Sequence, residues 1–129
     1  MEKRIINPWT WQDDRNYAQA VEVKNVQSTL YVSGQTAIDD NGITSNDDMR
    51  TQIIKTFENL EKVILQAGFE VKNIVRLNVY TTDHPAFFEN FDIWKDWLTK
   101  QGVQQASNVI EVKTLFETLK VEMEATVVK

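Results

Sequence analysis

Met49, Ile53, Phe57, Leu60 and Ile64 recur every three or four residues, and this stripe constrains the fold more than any other feature of the chain. Such spacing puts all five on one face of an α-helix, which must be buried against something. Asp39-Asp40-Asn41-Gly42 marks a turn before it, Ser45, Asp47 and Asp48 offer capping oxygens at its start, and Gly68 supplies the stop. The segments around it have the other period. Residues 17–24 alternate Tyr17, Gln19, Val21 and Val23 against Ala18, Ala20 and Glu22. Residues 28–35 carry Leu30-Tyr31-Val32-Ser33-Gly34-Gln35, and the two segments are predicted to form a hairpin through Asn25-Val26-Gln27. Ile74 to Thr81 alternates Val75, Leu77 and Val79 against Arg76, Asn78 and Tyr80, residues 107–113 read as a short strand, and Leu119 to Val128 alternates again.

A second helix is predicted from Asp83-His84-Pro85 to Gly102, with Phe87, Phe88, Phe91, Trp94, Trp97 and Leu98 on its buried side. Residues 7–16 read as loop, and Trp9 and Trp11 are expected to pack on the body or on a neighbouring copy. The order β-β-α-β-α-β-β makes an α+β fold, one mixed sheet with two helices on one face. Its uncovered face is expected to expose more apolar surface than a monomer carries, which predicts an oligomer.

The 129 residues fit one domain, 1–129, that needs no disulfide or metal to hold its core. The absence of cysteine excludes thiolate nucleophiles and cysteine-ligated metals, and the net charge of −5 disfavours phosphate backbones and anionic membranes. With no apolar h-region at the start and no run of membrane-spanning length, a cytoplasmic location is expected. There is no glycine-rich phosphate loop and no constellation with a second histidine.

The candidates for chemistry are few. Ser33, Gly34 and Gln35 put a hydroxyl, a bare backbone and an amide at a strand end, which suits a pocket floor and equally an ordinary turn. Glu122 and Glu124 are two apart on one strand and face the same side; either one is a base in a cleft or both line a solvated edge. Tyr17 is a hydrogen-bond donor or an interface residue, Arg76 an ion-pair partner or an anion site, and His84 a cap or turn residue.

Several stretches taken together resemble the Rid (reactive intermediate deaminase, RidA/YjgF) family. They are Tyr17 to Val21, Leu30 to Gln35, Leu65-Gln66-Ala67-Gly68, Asn73 to Asp83 and Lys120 to Ala125, in order and with few gaps. The resemblance implies a chorismate-mutase-like fold assembled as a homotrimer, with small-molecule ligands bound in inter-subunit clefts. It also implies hydrolysis of enamines or imines, such as 2-aminoacrylate, to a keto acid and ammonia, with no metal or cofactor. It makes Glu122 the residue that positions the attacking water, and places Tyr17, Ser33, Gly34, Gln35, Ser107 and Asn108 around the substrate. The family's carboxylate-binding arginine falls on Ser107, and the family's helix asparagine falls on Phe91, next to Asn90. A serine hydroxyl cannot replace a guanidinium fork. Two functions are therefore expected to compete, an imine/enamine deaminase and a non-catalytic metabolite-binding or enzyme-partner trimer. Nucleic-acid cleavage is disfavoured by the acidic balance.

Overall fold

The computed structural model describes residues 1–129. The predicted stripe forms helix α1 (Met49–Gln66), with Met49, Ile53, Phe57, Leu60 and Ile64 all buried. Asp48 caps it by accepting the Thr51 N–H at 2.9 Å, and the chain leaves through Gly68 at φ +79°. Two polar side chains tie α1 to the chain around it. The fully buried Gln52 amide donates toward the carbonyls of Asp47 (3.1 Å) and Thr118 (3.3 Å), and its oxygen accepts the Lys120 N–H at 2.8 Å. Asn59 donates to the carbonyls of Thr36 and Ile38, both at 2.8 Å.

The helix lies on a four-stranded sheet. Its strands are β3 (Thr29–Gln35), β4 (Ile74–Thr81), β5 (Ala106–Glu111) and β6 (Val121–Val128), in the order β3-β6-β4-β5. Only β4 and β5 run parallel; the other pairs are antiparallel. Alternation sends Leu77, Val79, Val121, Met123, Ala125 and Val127 into the core under α1.

The predicted hairpin between residues 17–24 and 28–35 does not form. Strand β2 (Ala20–Lys24) pairs instead with β1 (Glu2–Ile6), a short charged segment with no strand signature of its own, in a separate two-stranded ribbon. Asn25 turns the chain at φ +56°, and the N–H groups of Gln27 and Ser28 donate to the Lys129 carbonyl at 2.8 and 2.9 Å. Those bonds set β3 beside the C-terminal strand β6 rather than beside β2. Residues 17–19 serve a different strand: Ala18 bridges Ala106 and donates its N–H to the Gln105 carbonyl at 2.8 Å, extending the sheet beyond β5.

The predicted second helix is two helices, α2 (His84–Glu89) and α3 (Phe91–Gln101). They break at Asn90, whose side-chain amide donates to the Ala86 carbonyl at 2.8 Å and competes with the helical ladder. Their aromatic faces still form one core wall, in which Trp97 stacks on Phe57 at 4.1 Å.

The open sheet face also differs from expectation. It is polar, carrying Ser33, Arg76, Asn78, Glu122, Glu124 and Thr126 beside Tyr31 and Tyr80. Val21 sits on the separate ribbon and Tyr17 lies past β5, so the apolar surplus never gathers there. Tyr31 is 80% exposed. Trp9 and Trp11 stack on each other at 5.7 Å and stay about half exposed (54% and 50%), so the chain's own body covers only part of them.

Candidate functional site

The sequence-derived residues fall into two groups at opposite sides of the sheet. Tyr17, Ser107 and Asn108 line one cleft of about 640 Å³ along the edge of β5. Ser33, Gly34 and Gln35 sit on edge strand β3, with Glu122 beside them on β6. Strand β4 separates Glu122 from β5, so a single chain does not bring all seven together.

In the cleft, the Ser107 side chain follows Leu77 of the neighbouring strand, and its hydroxyl donates to the Leu77 carbonyl at 2.7 Å. It accepts from Gln105 Nε2 at 3.1 Å, and the same nitrogen donates to the Asn16 carbonyl at 3.0 Å. Gln105 is 1% exposed, so position 107 is anchored in a buried polar relay and its one hydroxyl proton is already used. Asn108 is exposed, and its backbone N–H donates to Asn78 Oδ1 at 3.2 Å. Phe91 and Trp94 form the cleft's apolar wall, while Asn90 is held to the helix turn by its bond to Ala86. The Tyr17 hydroxyl accepts a long contact from Gln19 Nε2 at 3.4 Å.

The cleft also holds Arg15 and Arg76. Arg76 makes only a 3.4 Å contact to Asn78 Oδ1, and Arg15 lies over the Trp11 ring at 5.2 Å. The ion-pair reading of Arg76 therefore does not hold. Arg15, Gln19 and Phe88 were not expected in the site; they flank Tyr17 and Phe91 in sequence, and that adjacency was the available signal.

On the other side, the β3–β6 register shifts between Val32 and Gln35. A Cβ built on Gly34 would lie 2.6 Å from Glu122 Cδ and 2.9 Å from its Cγ. Glycine at 34 thus gives the Glu122 side chain room to lie across β3. Glu124 accepts from the Tyr80 hydroxyl at 2.6 Å and from Asn78 Nδ2 at 3.3 Å, and that bond to a carboxylate raises the Tyr80 pKa. No protein group hydrogen-bonds the Glu122 carboxylate. Burial, and then the Glu124 charge, push its pKa above the ordinary glutamate value. A half-buried carboxyl with a raised pKa and no fixed partner is able to take and return a proton. Glu122 is accordingly the carboxyl left without a partner, and Glu124 is engaged in the sheet.

His84 has a structural place, its Nε2 3.2 Å from the Val109 carbonyl and its ring edge-on to Phe88. No three His, Asp or Glu side chains gather closely enough to hold a metal ion.

The sequence profile of the family described as Endoribonuclease L-PSP matches residues 12–129. A RutC family protein of Aquifex aeolicus (strain VF5) is 33% identical over 113 residues, covering 88% of each chain. A 2-iminobutanoate/2-iminopropanoate deaminase of Dermatophagoides farinae is 28% identical over 131 residues, covering 98% of this chain and 96% of that one. Among solved structures, a Rid family protein of unknown function from Yersinia pestis matches with a TM-score of 0.87 at 29% identity, over 100% of both chains. The sheet order, the two main helices and these matches agree, and the chain belongs to the Rid family.

Proposed function

We propose that the protein is a homotrimer that binds a small metabolite in clefts between its copies and hydrolyses enamine or imine intermediates there to a carbonyl compound and ammonia. Tyr17, Ser107 and Asn108 of one copy meet Ser33, Gly34, Gln35 and Glu122 of the next, which accounts for the two groups standing apart in one chain. The observation that carries this reading is the Glu122 carboxyl, held over Gly34 without a partner and with its pKa raised. The deaminase relative supports the same chemistry.

An enamine first becomes the imine as an N–H proton is lost to water and the terminal carbon takes one from water. Water oxygen then bonds to the imine carbon, and Glu122 takes a water proton and passes it to the nitrogen. A carbinolamine results. Glu122 then takes the hydroxyl proton and returns it to the nitrogen as the C–N bond breaks, leaving C=O and ammonia. A carboxyl whose pKa lies above the usual range suits both transfers near neutral pH.

Ser107 lowers what this site can do with small 2-imino acids. Loss of a bidentate guanidinium–carboxylate contact costs on the order of a hundredfold. Ammonia release from 2-aminoacrylate, measured beside an arginine-bearing relative, is expected about a hundredfold below that relative. It is expected to fall to background in Glu122→Gln. A rate in Glu122→Gln equal to wild type overturns the assignment of Glu122. The internal bonding of Ser107 favours a second reading, binding without turnover. Retained ligand affinity with no ammonia from any imine decides for that one.

A further inference from the structure

The chain has four arginines, and they divide into two kinds. Arg4 is gripped by Glu22 through two contacts of 3.2 Å, and Arg50 by Asp92 at 3.1 and 3.3 Å. Arg15 and Arg76 have no carboxylate partner, and both line the β5 cleft. No aspartate or glutamate of the same chain lines that cleft, although the chain carries 19 of them, and the one carboxyl the proposed assembly brings to it is Glu122 of the next copy. In an acidic protein this makes the cleft locally cationic, and anions are drawn to it.

The opposite wall is aromatic. Phe88 and Phe91 stack with centroids 5.3 Å apart and planes 29° from parallel, and Phe88 remains 47% exposed. The wall offers a flat apolar face to a ring or conjugated system.

Resting on the cleft-binding reading above, we infer that Arg76 and Arg15 are the anion anchors of this cleft, and that its ligand is a carboxylate joined to a planar aromatic or conjugated body. The anchor has moved from position 107 to the adjacent strand β4 and to the loop before Tyr17. The ring lies on Phe88 and Phe91. Within the deaminase chemistry, the substrates are imines of aryl 2-keto acids.

The test is calorimetric titration of the assembled protein with phenylpyruvate, pyruvate and the neutral ethyl ester of phenylpyruvate. Phenylpyruvate is expected to bind at least roughly tenfold tighter than either of the others. Arg76→Gln and Arg15→Gln are each expected to weaken phenylpyruvate by roughly tenfold, while Arg4→Gln leaves it unchanged. Phe88→Ala is expected to weaken phenylpyruvate and spare pyruvate. Circular dichroism and solution mass confirm folding of each variant. Binding by wild type that is indifferent to both Arg76 and Arg15 overturns the anchors and leaves the cleft reading standing. Equal affinity for pyruvate and phenylpyruvate overturns the aromatic ligand class. Failure of all three acids and esters to bind wild type removes the cleft reading and this inference together.

Discussion

At the scale of single residues, the Glu122 side chain lies against Gly34. The atoms a Cβ at 34 would strike belong to the Glu122 side chain, whose far end can rotate away. Gly34→Ala is therefore expected to fold with stability within about 1 kcal/mol of wild type in urea titration, because no backbone must move. Its ammonia release is expected to fall nearly as far as in Glu122→Gln, and the double variant is expected to be no worse than either single one. Additive losses would show that the two act separately. The raised pKa of Glu122 also has a consequence for stability. The folded chain binds this proton more tightly than the unfolded chain does, so the site's contribution is most favourable below the ordinary glutamate value and is lost as pH rises through the raised one. Glu122→Gln is expected to flatten that part of the pH–stability curve and to leave the protein at least as stable as wild type at pH 7. A loss of stability at pH 7 would contradict the desolvated, unpartnered carboxylate.

At the scale of elements, α1 is held to its surroundings by Gln52 as well as by its apolar stripe. The amide satisfies carbonyls at 47 and 118 and the N–H at 120, all close to the start of β6. Gln52→Leu removes the partner of the Lys120 N–H and the Thr118 carbonyl, while the Asp47 carbonyl keeps its bond from Lys120 Nζ, and is expected to cost about 1–3 kcal/mol by chemical denaturation. A change within a few tenths of a kcal/mol would mean that water replaces the amide at no cost. Helix α1 was legible in the sequence because its signal is local, a stripe between a cap and a glycine. Strand β1 was not. Glu2–Ile6 is short and charged, and what makes it a strand is its pairing with residues 20–24. The break at Asn90 was hidden for a related reason, since the aromatic stripe runs on through Phe87, Phe91 and Trp94 while one amide diverts the backbone.

At the scale of the whole molecule, the residues named from sequence alone fall into two separated groups. Tyr17, Ser107 and Asn108 face the cleft, while Ser33, Gly34, Gln35 and Glu122 lie across the sheet. Linear order gives residue types but not sides, so sequence could name the members without showing that one chain separates them. Arg15 and Arg76 were obscure because a guanidinium's function depends on which carboxylates it lacks, and that is visible only in three dimensions. The polar open face removes apolar surplus as the reason to expect assembly, and the separation of the two groups of residues is the reason that replaces it. Sedimentation is expected to give three times the 15.0 kDa chain mass at micromolar concentration, and a single-chain mass would contradict it. The most direct measurement is complementation. Glu122→Gln chains, with an intact cleft, are unfolded and refolded together with equal amounts of Arg76→Gln chains, which have an intact Glu122. Random mixing places both intact halves at about one site in four. With the preferred imine well below saturation, Glu122→Gln alone is expected at background and Arg76→Gln alone at about a tenth of wild-type ammonia release, and the mixture is expected to recover about a quarter. Where both parents are impaired, mixed trimers confirmed by mass that release no more ammonia than the mean of their parents would place the whole site within one chain, and would contradict the site divided between copies.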